Sequence, residues 1–343
     1  MAGKKRKKNS SLERKILIAL CIILALILAA LIGAYVWADS LLSGINRFDD
    51  QQPVDGTQPT VEIADPTDTV PVITEAQTIT TGKQVVNILL VGQDRRSGEG
   101  RMHSDAMILV TINKSTKTVT MTSFMRDMWV YIPEHYNERI NVPYMVGGFD
   151  LLNATLDYNF GVSADYNVEI DFFGFMKAID LAGGIEIELT AAEARYLNRR
   201  GNWDLENNSN WSLVEGVNLL TGSQALAYSR IREIGDDFER TNRQRTVLSK
   251  AIEKAKTLST TQLYELIKGV IPMLTTDMTN GEIMGLALEM IPLLSNLQIV
   301  SQRIPMDGEF SFANKGGASV IALSESQFET NKKLLEEAMR IEE

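Results

Sequence analysis

Cysteine is all but missing from this chain: there is one, Cys21, in 343 residues, and it sits inside an apolar run. No intrachain disulfide can form, and a thiol nucleophile or cysteine-ligated metal is excluded from the rest of the chain. Histidine is almost as scarce, with His103 and His135 alone, too few for a histidine-rich metal site. The phosphate-cradling GxxxxGK[ST], the dinucleotide GxGxxG, the nucleophile elbow GxSxG and the zinc-binding HExxH are all absent. The glycine-rich pieces at 97–100, 147–148 and 183–184 therefore read as turns. Positive charge is in short supply too, 34 Lys and Arg against 44 Asp and Glu, for a net −10. The first fifteen residues carry seven basic side chains against Glu13, a local +6, which leaves −16 for the remainder. A chain that acidic is a poor general binder of nucleic acid, so an arginine cluster within it serves something local.

What is present begins with a membrane pattern. Lys4–Lys8 (KKRKK) precedes an uncharged run, Ile16–Ala38. As a helix, that run would span about 34 Å, enough for a hydrocarbon core of about 30 Å and longer than a cleavable signal. Residues 1–15 are expected to be a basic cytoplasmic tail, 16–38 a retained transmembrane helix, and everything after it extracytoplasmic. Residues 39–82, rich in Pro, Thr, Asp and Gln, read as a flexible spacer. From 83 to 343 strands and helices alternate. Strands are expected at Val85–Val91, Ala106–Asn113, Thr118–Phe124, Met128–Ile132, Ile185–Leu189 and Leu297–Ile304, the second and third forming a hairpin. Helices are expected at Leu151–Tyr158, Phe172–Asp180, from Thr221 through Tyr228, Asp237–Lys256, Gln262–Leu274, Gly281–Leu294 and Ser324–Arg340. This is one α/β domain with helices covering a central sheet.

Polar clusters fall at strand ends or beside them, where open α/β sheets bind ligands. Asp94 and Arg96 follow the first strand; Arg101, His103 and Asp105 precede the second; Arg126 and Asp127 follow the third. Tyr228–Arg245 holds five arginines, Arg230, Arg232, Arg240, Arg243 and Arg245. On an extended backbone Arg230 and Arg232 leave the same face, and on the helix after Gly235 the residues Arg240, Arg243, Gln244 and Val247 share one. Such a set matches phosphate oxygens, although ion pairs with Glu233, Asp236, Asp237 and Glu239 would describe it equally well. Asp94 and Asp105 flank one loop; two carboxylates near arginines suit Mg²⁺, or else they are turn aspartates paired with Arg96 and Arg101. Together the clusters describe a site for a polyanionic head group, such as a pyrophosphate carried by a membrane lipid.

The segments NILLVGQDRR, HSDAMILVTIN, TMTSFMRD, RINVPYMVGG, LAGGIEIEL, LTGSQALAYSRIR and DFERTNRQR, in that order from Val86 to Lys256, resemble the LytR–CpsA–Psr family of bacterial envelope proteins. The resemblance implies a central mixed β-sheet flanked by helices, with a hydrophobic tunnel for a polyprenyl chain. The implied activity is transfer of a teichoic-acid-like or capsular glycopolymer from undecaprenyl pyrophosphate to a peptidoglycan hydroxyl. Asp94 and Asp105 match its Mg²⁺-associated aspartates. Arg126, Arg230, Arg232 and Arg240 match its pyrophosphate-binding arginines, and Asp237 and Gln244 its polar head-group residues, with Arg96, Arg101 and Arg243 as further contacts. Asp94, Asp105, Arg126, Asp237 and Arg240 are then the expected catalytic residues, with Asp237 preferred over Asp127 as proton acceptor. Two departures stand out. His103 replaces the usual arginine, with Arg101 as the candidate substitute cation, and Met125 replaces a proline, with loop stiffness the expected effect. Hydrolysis of the pyrophosphate, or binding of lipid-linked glycan as a non-catalytic envelope regulator, are the alternative functions.

Overall fold

A computed structural model describes residues 33–48, 84–93, 101–199, 211–235, 237–290, 293, 297–315 and 317–341, without the side chains of Asp237 and Thr260. The basic tail, most of the expected membrane span, the greater part of the expected spacer and the loop carrying Asp94 and Arg96 lie outside these residues. Among the described residues no helix is long and apolar enough to cross a membrane.

A seven-stranded mixed sheet organises the chain. Its centre is an antiparallel meander of β2 (Val85–Gln93), β3 (Ser104–Asn113) and β4 (Thr118–Phe124). β2 alternates strictly between buried and half-buried residues, as a two-faced strand should. In chain order, β1 (Asn46–Arg47) precedes these three strands. After them come a small ribbon of β5 (Trp129–Tyr131) with β6 (Asn137–Arg139), helix α1 (Val142–Phe160), β7 (Tyr166–Asp171) and helix α2 (Phe172–Leu181). A hairpin of β8 (Ile185–Leu189) and β9 (Gly216–Leu220) encloses helix α3 (Ala191–Leu197), and α4 (Gly222–Ser229) and α5 (Asp237–Lys256) follow. The remainder is α6 (Thr260–Val270), β10 (Leu274–Thr276), α7 (Asn280–Met290), β11 (Gln298–Ile304), a ribbon of β12 (Ser311–Lys315) with β13 (Ala318–Ala322), and α8 (Glu325–Met339). The large sheet runs β1-β10-β7-β2-β3-β4-β11, with β7 parallel to β2 and β11 parallel to β4.

Two hydrophobic clusters fill the layers. The larger packs α1 and α8 on one sheet face through Leu109, Phe124, Phe149, Phe160, Phe328 and Leu335. The smaller gathers α2, α3, α4, α5 and the β8–β9 hairpin around Ile187, Leu197, Ala225 and Val247. Capping boxes start α3, α4, α6 and α8 at Thr190, Thr221, Ser259 and Ser324, satisfying donors that the first helical turn leaves open.

Several expectations are corrected. Residues 39–48 do not begin a spacer: residues 33–42 are helical, Leu42 and Ile45 bury against Ile271, and β1 pairs with β10 at the sheet edge. The apolar stretch expected as a helix to Leu274 ends at Val270. Pro272 then sits in a 3₁₀ turn and the chain becomes β10, pinned to β7 as Thr276 Oγ1 donates to the Asn167 carbonyl at 2.6 Å. Gly147–Gly148 is a kink inside α1, with Gly148 at φ +64, and the helix begins nine residues before the expected Leu151.

Candidate functional site

The site begins with an irregularity in the meander. Along β2 and β3, Gly92 pairs with Ala106 but Gln93 pairs with Ser104, so Asp105 is an extra residue without a partner of its own. Regular alternation would send Asp105 and Ala106 to opposite faces; the bulge lets both line the same cavity. Bulges beside active sites commonly re-aim one side chain in this way.

Around Asp105 the arginines converge. Arg126, directly after β4, donates from Nη1 to Asp105 Oδ1 at 2.8 Å, while its Nε lies 3.5 Å from Asp127 Oδ2. Arg232 reaches the same Asp105 oxygen at 4.0 Å. Arg230 is not on a strand, as its spacing from Arg232 suggested: it caps the C-terminal end of α4, and its guanidinium lies over the Phe172 ring at 4.5 Å. A guanidinium stacked this way on an aromatic face is held in one plane.

Helix α5 supplies the remaining wall and splits its arginines. Arg240, Gln244, Val247 and Leu248 line the cavity. Arg243 does not join them, against the expectation of a shared face. It is buried, Nε donates to Glu193 Oε1 at 2.8 Å, and Nη2 donates to the Ile234 carbonyl at 2.9 Å. Burial opposes the charge on Glu193, but hydrogen bonds from Thr190 and Arg243 outweigh it and hold the carboxyl below its usual range. The same buried neighbourhood pushes the Tyr228 phenol up to about 12, through burial first and the Glu193 charge second.

Behind the arginine mouth lies an apolar cleft. Counted to its open mouth, the empty space is about 850 Å³, within the range of small-molecule sites. Its floor is the sheet (Leu90, Ile108, Ile170), and its walls come from α2 (Phe172, Phe175) and α4 (Leu226). A hydrophobic tunnel was implied by the resemblance, but the apolar residues that line this cleft were not singled out in the sequence. Nor was Asp171, which lines the cleft while its carboxylate caps α2 by accepting from Gly174 N at 2.8 Å. The signal was there in FFGFMKAIDL, read from the sequence only as an expected helix.

Other expected contacts are not brought in. Asp94 and Arg96 lie outside the described residues, and so does the side chain of Asp237, whose backbone opens α5. Arg101 packs against the Phe48 ring at 5.5 Å, its Nη1 buried beside Gly148, and does not line the cleft. Among the described residues no three His, Cys, Asp or Glu side chains gather to hold a metal. Asp105, a hard oxygen donor amid phosphate-matching arginines, fits an ion such as Mg²⁺ that keeps several waters and takes oxygens from a bound diphosphate.

The model of the LytR_cpsA_psr family matches residues 53–337. The chain belongs to the LytR–CpsA–Psr family. A family relative, the polyisoprenyl-teichoic acid–peptidoglycan teichoic acid transferase TagT of Bacillus subtilis, is 32% identical over 54% of this chain and 57% of its own. The regulatory protein MsrR of Staphylococcus aureus is 33% identical over 48% of this chain and 47% of its own, so the chain spans about half the length of these curated relatives. Among solved structures, TagT bound to LIIa-WTA superposes with a TM-score of 0.61 at 24% identity, covering 81% of this chain and 99% of that one. TagT with bound octaprenyl pyrophosphate lipid gives 0.58 at 23% over the same shares. At those identities the likeness establishes the fold.

Two positions set this member of the LytR–CpsA–Psr family apart from the pattern its sequence resembles. His103, where arginine is usual, does not replace the missing charge: burial and then Arg139 lower its pKa below 6.5, so the ring is largely neutral at pH 7. Met125, where proline is usual, donates its backbone N–H to the Ile304 carbonyl at 2.9 Å, and Thr241 Oγ1 lies 3.2 Å from its sulfur. A proline could not make that backbone bond, so here the loop before Arg126 is tied to β11.

Proposed function

We propose that the protein is a membrane-anchored phosphotransferase that moves an anionic cell-wall glycopolymer from undecaprenyl pyrophosphate to a peptidoglycan hydroxyl, outside a bacterial cell membrane. One observation carries this reading: an apolar cleft opens at a mouth built from Arg230, Arg232, Arg240 and Asp105. A polyprenyl chain matches the cleft and a diphosphate matches the mouth. The uncharged run at 16–38, leading into the helical residues 33–42, supports the anchor.

In the proposed reaction the acceptor oxygen bonds to the phosphorus that carries the sugar. The bond from that phosphorus to the bridging oxygen breaks, and its electron pair leaves with the polyprenyl phosphate. Arg126, Arg230, Arg232 and Arg240 stabilise charge on the leaving phosphate, and Gln244 adds a polar contact. The hydroxyl proton passes to a carboxylate, for which Asp237, one turn before Arg240, is the proposed acceptor. Mg²⁺, with Asp94 and Asp105 as its proposed carboxylates, would supply further neutralisation of the diphosphate when bound.

The test supplies the full chain with a short polyprenyl-pyrophosphoryl saccharide, a peptidoglycan oligomer and Mg²⁺. A covalent saccharide–phosphate–glycan product is expected, with Arg230→Ala and Arg232→Ala each reducing the rate by roughly 10²–10³, as for loss of one preorganised donor. Release of phosphosaccharide without ligation would reassign the protein as a hydrolase. Binding without turnover by folded protein would reassign it as a regulator.

A further inference from the structure

Helix α5 has a second polar face that the lipid cleft does not use. Phe238, Thr241, Asn242 and Arg245 recur at i, i+3, i+4 and i+7, and this face meets the ends of β4 and β11. Arg245 is only 7% exposed. It makes one long contact, Nη2 to Asn242 Oδ1 at 3.4 Å, while its Nε and Nη1 are buried without a hydrogen-bond partner among the described residues. Its neighbour is a like charge, Arg303 on β11. Arg303 gives one amino group to Asp307, lies 4.5 Å over the Phe238 ring, and also keeps a buried Nε with no partner among the described residues. Ser123, in register with Arg303 on the adjacent parallel strand and so on the same sheet face, has a buried hydroxyl that is likewise unmatched there. Burial and the Arg303 charge push Arg245 down to about 10.

Buried donors left unpaired are costly, charged ones most of all, and native proteins rarely leave several together unless a water or ion completes them. Water would satisfy hydrogen bonds but not the repulsion of two guanidiniums. We propose that the space bounded by Arg245, Arg303 and Ser123 is a binding site for a compact anion, either a halide or the carboxylate of a saccharide. The orphaned atoms are shielded, so only a small anionic group reaches them, while Arg303 keeps 18% of its side chain exposed as a way in. Phe310, stacked on Phe238 at 4.8 Å, and the exposed Phe312 form an aromatic wall beside it on which a sugar ring could lie. The site lies apart from the residues that line the lipid cleft and stands independently of the transfer reaction.

The test follows the thermal midpoint of the full chain against sodium bromide and sodium N-acetylmuramate at fixed ionic strength and pH, with N-acetylglucosamine as neutral control. Wild type is compared with Arg245→Met, which removes generic salt effects. Site occupancy is expected to raise the wild-type midpoint by roughly 2–4 °C, with no such increment in the variant. A response to both anions identifies a halide-competent site, and a response to the saccharide acid alone a carboxylate site. Equal responses in wild type and variant would overturn the proposal. Should Arg245→Met not fold, Arg303→Gln serves the same comparison. Anomalous scattering from bromide-soaked wild-type crystals supplies an independent readout: density between Arg245 and Arg303 supports the site, and its absence after both anions fail to stabilise refutes it.

Discussion

Three arginines on α5, within six residues of one another, do three different things. Arg240 faces the cleft, Arg243 is consumed by Glu193 and backbone carbonyls, and Arg245 meets Arg303. Their substitution should separate cleanly. Arg243→Met leaves Glu193 buried without its counter-charge and is expected to cost about 3–5 kcal/mol of stability, read by chemical denaturation. Arg240→Met removes a cleft-lining guanidinium and should lower the transfer rate. The sequence could say that a dense arginine stretch meets phosphate, and it could place Arg240 and Gln244 one turn apart. It could not say that Arg243 would find Glu193, fifty residues away, because that pairing depends on where α3 lands. At His103 the sign of the pH effect follows from its lowered pKa. The unfolded chain binds the proton more readily than the folded one, so stability is full above pH 6.5 and falls as pH drops through the depressed folded value. Urea midpoints measured between pH 7.5 and 5 should show that slope, and His103→Gln should reduce it.

At the scale of elements, length alone did not decide what was legible: the five-residue β8 falls where it was expected, whereas the nineteen-residue α1 begins well before its expected start. α5 spans the expected residues, and β3 and β4 pair as the expected hairpin. β1 and β10 are two and three residues long, too short for a period to register. The bulge at Asp105 was hidden for another reason: alternation within SDAMILVTIN says nothing of the register on its partner strand. α4 offers a prediction of its own. Gly222 opens it so close to α2 that a methyl there would collide with the Met176 backbone carbonyl. Gly222→Ala must push the two helices apart, and with them Phe172 and Arg230 at the mouth. Overpacking of this kind is expected to cost about 1–3 kcal/mol and to weaken diphosphate binding, checked by calorimetric melting and by titration with a soluble polyprenyl diphosphate analogue.

For the whole molecule, residues 33–48 belong to the folded body. A truncated domain beginning at Lys83 would lose β1 and the burial of Leu42 and Ile45 against Ile271. Each of those side chains is worth about 1.5–3 kcal/mol when fully buried. The truncated domain should therefore melt measurably below a chain that retains residue 33 onward. The composition of 39–82 concealed this, because Leu42 and Ile45 amid polar neighbours look no different from a linker until a sheet edge is there to receive them.

The apolar cleft is lined from both hydrophobic clusters, by Val91 of the larger and Val247 of the smaller, and α5 is one of the elements that touch both: Phe238 packs on the larger cluster and Val247 belongs to the smaller. The seam has a consequence for cooperativity. The two clusters are separate apolar units, so without ligand hydrogen exchange is expected to resolve two protected units of unequal depth. A hydrocarbon chain filling the cleft gives both units a common neighbour and binds only when both are folded, so the two should merge into one exchange-resistant block. The substrate would then serve, for as long as it is held, as part of the core.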